Sequence, residues 1–207
     1  MSDPRRTRRA LLGGLLGVGL AFVSGAALFS GAEAHAQGQD GPGPNLVLSV
    51  EGSTTGTVTI DLFEDVAPQH VARITELARE GAYDNVVFHR VIDGFMAQTG
   101  DVEFGKAGGD TARAGMGGSS KPDLAAEFSD RTFERGTVGM ARSASPDSAN
   151  SQFFIMFDKA PHLDGGYTVV GQVIEGMSVV DSIKKGDQRQ NGAVSQPDMI
   201  AKATVQP

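Results

Sequence analysis

The chain has 207 residues, a formal net charge of −7, 28 glycines and no cysteine. The missing thiols exclude disulfides, zinc–thiolate sites and cysteine nucleophiles, and the acidic balance excludes the basic footprint of a nucleic-acid binder. The length fits one domain plus a leader, and many glycines with few aromatics suit a turn-rich β fold.

Residues 1–36 read as a signal peptide. Arg5, Arg6, Arg8 and Arg9 form a basic head, residues 10–32 an apolar, glycine-rich run, and Ala34-His35-Ala36 an A-x-A cleavage site with Gln37 as the new N-terminus. Thr7-Arg8-Arg9-Ala10-Leu11-Leu12 also resembles the twin-arginine export motif. The mature protein is therefore expected in the periplasm or secreted, with no stable membrane association. An uncleaved run would be long enough to anchor it. Cleavage takes away four Arg, one Asp and one Glu and leaves a charge of −9.

Residues 37–44 form a Gly/Pro/Gln linker, expected to be flexible, and the domain follows at 45–207. Residues 46–50 and 57–62 read as a strand pair around a Thr54-Thr55-Gly56 turn. Residues 65–81 form the best helix. Pro68 suits its first turn, Val71, Ile74, Leu77 and Ala78 make one apolar stripe, and Gly81 is the expected C-cap. Residues 86–98 read as strand, turn, strand, with Asp93-Gly94 as the turn. Period two puts Phe88, Arg90 and Ile92 on one face and His89 and Val91 on the other. His89 is expected to be hydrogen-bonded inside. Met96 and Gln98 then share a face. A guanidinium, an amide, a thioether and an aromatic ring can so gather at one sheet surface. That suits a neutral, partly apolar ligand with carbonyl groups. It lacks the carboxylate pair or nucleophile of a hydrolase.

Residues 100–127 are irregular and glycine-rich, without the order of a phosphate-binding loop. Further strands are expected at 137–141, 152–156, 168–174 and 201–205, and a second helix at 176–185. His70, His89 and His162 lack metal-ligand spacing.

The stretch FHRVIDGFMAQTGD (88–101) resembles the signature of the cyclophilins, the peptidyl-prolyl cis-trans isomerases. Matching blocks follow in order at GTVGMAR (136–142), NSQFFI (150–155) and HLDGGYTVVG (162–171). The resemblance runs from about Asn45 to the C-terminus and is nearest the bacterial single-domain branch. It implies a mainly β fold, a closed eight-stranded antiparallel β-barrel capped by two α-helices. It implies a monomer acting on proline-containing polypeptides without cofactor or metal.

The resemblance also assigns roles. Arg90 matches the arginine that donates toward the prolyl nitrogen, with Gln98 and Phe95 as its catalytic neighbours. Met96, Phe154 and Leu163 match the proline pocket together with Phe95. Ala141, Arg142, Gln152, His162 and Tyr167 match substrate contacts, and the stretch 115–118 matches a rim of the site. By periodicity alone Phe95, Met96 and Phe154 would be plain core, and Gln152 could be a core amide. Three positions depart from the better-known eukaryotic pattern: His162 stands for tryptophan, Tyr167 for histidine and Arg142 for asparagine. Two functions compete: an exported prolyl isomerase, and a peptide-binding chaperone or scaffold with incidental isomerase activity. The retained Arg90 favours the first.

Overall fold

The computed structural model describes residues 38–207. The expected signal peptide and its expected cleavage site lie outside them. The described strands form one antiparallel sheet. β1 (Asn45–Glu51) and β2 (Gly56–Leu62) are a hairpin, with Leu46 opposite Ile60 and Leu48 opposite Val58. All four side chains are fully buried. Burial of each stabilises the fold by roughly 1.5–3 kcal/mol relative to exposure.

The first helix, α1, spans Pro68–Arg79. It begins three residues later than expected because Pro68 disfavours helical geometry at the residue before it. Its expected stripe, Val71, Ile74, Leu77 and Ala78, packs on the main core. Glu127 covers the helix start, accepting from the backbone N–H groups of Gln69 and His70 at 3.1 Å each. Gly81 follows the C-cap Glu80 at φ +70°.

The sheet continues through β3 (Val86–Val87), β4 (Arg90–Ile92), β5 (Met96–Thr99), β6 (Thr137–Met140), β7 (Phe153–Met156), β8 (Val169–Glu175) and β9 (Met199–Gln206). The expected eight strands are nine, in the order β3-β9-β1-β2-β8-β6-β7-β5-β4. The extra strand arises because the run 86–92 breaks at Phe88-His89. Val87 N–H donates to the Gly105 carbonyl and Phe88 N–H to Asp198, while Arg90 turns to pair with Gln98. β3 and β4 are thus the two ends of the sheet, yet only two residues separate them. The sheet must curl to allow this.

The break also corrects the expected faces. Phe88 and Val91 both enter the main core, while Arg90 and Ile92 face the other side, where Ile92 packs on a second apolar cluster. Beyond the turn the alternation holds. Ala97, Phe153 and Ile155 belong to the main core, and Met96, Phe154 and Met156 to the second cluster.

The second helix, α2, spans Met177–Ser182 and is shorter than expected. Ile183 leaves it in an extended conformation and buries itself. The segment 38–44 is not free. Gly41 N–H donates to Asp61 Oδ2 at 3.0 Å, and Leu62 N–H donates to the Pro44 carbonyl at 3.1 Å. The strap lies along β2. Among the described residues no helix is long and apolar enough to cross a membrane.

Candidate active site

The β4–β5 hairpin turns through Asp93, Gly94 and Phe95, with Gly94 at φ +70°. Its register sets Arg90 opposite Gln98 and Ile92 opposite Met96. Directly opposed side chains are close enough to touch. Arg90 Nη1 donates to Gln98 Oε1 at 3.2 Å and lies 3.8 Å from Met96 Sδ.

A residue that the motif did not point to holds the other edge of the guanidinium. Arg90 Nε donates to the Asn191 carbonyl and Nη2 to Asn191 Oδ1, both at 3.0 Å. Asn191 sits in the left-handed conformation, φ 54°, just after a single 3-10 turn at Gln188–Gln190. The Asn191-Gly192 pair was a legible turn signal, but nothing local said what the turn would hold. Clamped on two sides, Arg90 keeps one free N–H on Nη2, while the second N–H of Nη1 has only the thioether of Met96 as a weak acceptor. Burial lowers its pKa, yet a guanidinium stays charged.

The second apolar cluster makes the floor beside it. Phe95, Met96, Phe154 and Leu163 join Arg90, Gln98, Ala141, Arg142 and Tyr167 around a cavity of about 180 Å³. Phe154 is stacked on Phe133 at 5.7 Å and meets Tyr167 edge-on at 5.9 Å. Gly139 lies under both phenylalanines. A Cβ there would come within 2.6 Å of each ring. His162 is exposed and stacks on Phe95 at 5.7 Å, at the rim.

A second cavity, about 190 Å³, adjoins the first and shares Gln98, Ala141 and Arg142 with it. Gln152 also lines it, and both ends of its amide are engaged. Oε1 accepts from Gln98 Nε2 at 2.9 Å, and Nε2 donates to the Gly117 carbonyl at 2.7 Å. Gly115, Met116 and Gly117 border this cavity, while Gly118 lies off it. Asp101, fully buried, accepts from the N–H groups of Gly115 and Gly117 on one oxygen and of Glu103 and Phe104 on the other. An unbroken chain of hydrogen bonds therefore runs from this loop through Gln152 and Gln98 to Arg90.

All eleven residues expected at the site are gathered around the two adjoining cavities and their rim. The family model described as "Cyclophilin type peptidyl-prolyl cis-trans isomerase/CLD" matches residues 47–205. The chain belongs to the cyclophilin family. It is 57% identical over 189 residues to a probable peptidyl-prolyl cis-trans isomerase of Brucella suis, covering 90% of this chain and 94% of that one. It is 42% identical over 134 residues to a peptidyl-prolyl cis-trans isomerase of Helicobacter pylori, covering 64% and 77%. The crystal structure of cyclophilin AquaCyp293 from Hirschia baltica is similar in fold, with TM-score 0.65, 25% identity and coverage of 80% and 74%. This cyclophilin is an enzyme, a peptidyl-prolyl cis-trans isomerase.

His89 differs from expectation. Its two ring nitrogens are buried, and neither has a hydrogen-bond partner among the described residues. Burial pushes its pKa down, against the pull of Asp101 and the Val87 and Gln152 groups nearby. The imidazole is thus held neutral, backed against Gly115, where a Cβ would lie 3.0 Å from its Cδ2. Among the described residues no cluster of three His, Cys, Asp or Glu side chains could hold a metal.

Proposed function

We propose that this isomerase works without covalent chemistry, by stabilising the twisted X-Pro amide with Arg90. Rotation about that bond loses amide resonance and meets a barrier on the order of 20 kcal/mol. A cation donating toward the prolyl nitrogen localises its lone pair and lowers the barrier. The supporting observation is the clamp: Asn191 and Gln98 hold the guanidinium from opposite edges beside the apolar cavity and leave one Nη2 N–H free and one Nη1 N–H held only by the weak thioether acceptor of Met96. Phe95, Met96, Phe154 and Leu163 take the proline ring. The remaining N–H of Gln98 holds the carbonyl oxygen of the preceding residue. Gain comes from binding the twisted state better than either planar one, with donors already in place.

Arg90→Ala should keep its fold and lose about 10²–10³ in turnover of a short X-Pro peptide. Turnover near wild type in a folded variant would overturn the mechanism and favour a peptide-holding chaperone.

The same reading takes the curled sheet as a closed barrel with 86–92 as its shared strand. It also takes the enzyme as an exported monomer acting on unfolded or flexible clients. The basic head, apolar run and A-x-A site support export. N-terminal sequencing should find Gln37 first. An intact Met1 in a membrane pellet would mean an anchor. Arg8→Lys with Arg9→Lys should block export if the route is twin-arginine.

A further inference from the structure

We propose that Arg142 makes this isomerase prefer bonds whose proline is preceded, at X or one residue earlier, by Asp or Glu. The inference deepens the reading above and rests on it.

Arg142 stands on the ridge shared by the proline cavity and its neighbour. It is fixed there by neutral partners only. Nε and Nη2 donate to the Gly166 carbonyl at 3.2 and 2.8 Å, and Nη1 donates to the Ser143 carbonyl at 3.0 Å. Its guanidinium carbon lies 4.3 Å from the centre of the Tyr167 ring. Tyr167 is itself held edge-on by Phe133 and Phe154. The cation is therefore positioned before any ligand arrives. Of its five N–H groups, two stay free.

Nothing among the described residues neutralises it. Elsewhere Arg135 is paired with Asp181, and Lys121 with Glu76 and Glu80. Among the described residues no carboxylate lies within ion-pair distance of Arg142. No Asp or Glu lines either cavity. Asp147, the nearest acid in sequence, accepts from Ala126 N–H at 2.8 Å. Asp101, behind the Gly115–Gly117 edge, is fully buried, and its two oxygens each accept two backbone N–H groups. A chain of net charge −7 thus presents at one site two guanidiniums that no carboxylate among the described residues pairs with. Such a basin attracts anions and repels cations.

The division of labour follows from place. Arg90 serves the prolyl nitrogen. Gln98 lines both cavities and holds the carbonyl of X, so the peptide leading into X passes it toward the cavity that Arg142 borders. A carboxylate arriving there completes the two free N–H groups as charge-assisted hydrogen bonds. A lysine arriving there meets like charge.

The test uses the full chain and two peptide series, Ala-Xaa-Pro-Phe and Xaa-Ala-Pro-Phe, with Xaa as Glu, Ala or Lys. In at least one series kcat/KM should fall in the order Glu, Ala, Lys, by about three- to tenfold per step, as for a partly exposed charged contact. The order should compress at high salt. In Arg142→Gln the Glu-to-Lys ratio should approach one, whatever the absolute rate. In Arg142→Lys, which keeps the charge but loses the stacked plane, it should be intermediate. Equal rates for the three peptides in both series, or a preference that survives in Arg142→Gln, would overturn the proposal. A wild-type chain that turns over the alanine peptide without charge preference sinks only the role of Arg142. One that turns over none of them sinks the isomerase mechanism itself.

Discussion

Arg90 and Asn191, 101 residues apart in sequence, are joined by two hydrogen bonds of 3.0 Å. One of them uses the asparagine carbonyl and the other its side chain. Asn191→Gly keeps the left-handed backbone, which glycine adopts freely, and keeps the carbonyl. It removes only Oδ1. We expect kcat/KM to fall about tenfold with little change in thermal melting, since a hydrogen bond to a charged group is lost at the reacting edge. Unchanged turnover would mean that Gln98 and the carbonyl suffice to aim Arg90.

Gly139→Ala should reshape the proline pocket from below. Its methyl would press on Phe133 and Phe154, both within 2.6 Å of the new Cβ. Overpacking of this kind costs about 1–3 kcal/mol, a melting shift of roughly 2–12 °C for a domain of this size. KM should rise more than kcat falls if, as proposed, the displaced ring binds proline while Arg90 is untouched. A loss confined to kcat would argue against Phe154 as pocket wall.

Cyclosporin should bind weakly. The family tryptophan replaced here by His162 offers an indole N–H and a broad apolar face. His162 is exposed and spends one ring face on Phe95. His162→Trp should tighten binding in an inhibition titration. Stoichiometric inhibition of the wild type would refute this.

Acid should destabilise the protein in two separate windows. The folded pKa of His89 is depressed by burial, so the unfolded chain takes up the proton first. Stability is complete above about pH 6.5 and falls as the pH drops below it. His89→Gln should flatten that limb in urea unfolding between pH 7.5 and 5.5. An unaltered slope would place the proton elsewhere. Glu127 acts lower. Burial alone would raise its pKa, but bonds from the His70 ring and from Gln69 and His70 N–H outweigh it and hold it down. Its contribution is lost only as the pH falls below about 4.5.

Much of this was legible in local chemistry. Pro68, the apolar stripe of α1 and Gly81 bound the helix, and Asp93-Gly94 set the hairpin that places Arg90 against Gln98. The motif order moved Phe95, Met96 and Phe154 from core to pocket. The structure places them in an apolar cluster apart from the main core. What escaped depends on partners far along the chain. The break at Phe88-His89 exists because Val86 pairs with Ile200 while Arg90 pairs with Gln98. No period within 86–92 carries that information. The docking of the Gly/Pro strap likewise needs Asp61, twenty residues from Gly41.

That break has a consequence in time. β3 needs β9, the last strand of the chain, and β4 needs the neighbour of β7. The two residues between them bind the fates of both ends of the sheet, and Arg90 stands at the joint. Contacts of such long sequence separation form late and slowly. Regained peptide turnover should therefore trail the regained circular-dichroism signal when the unfolded chain is diluted from denaturant. An enzyme that hastens a slow step in other chains comes into working order only after the slowest closure of its own.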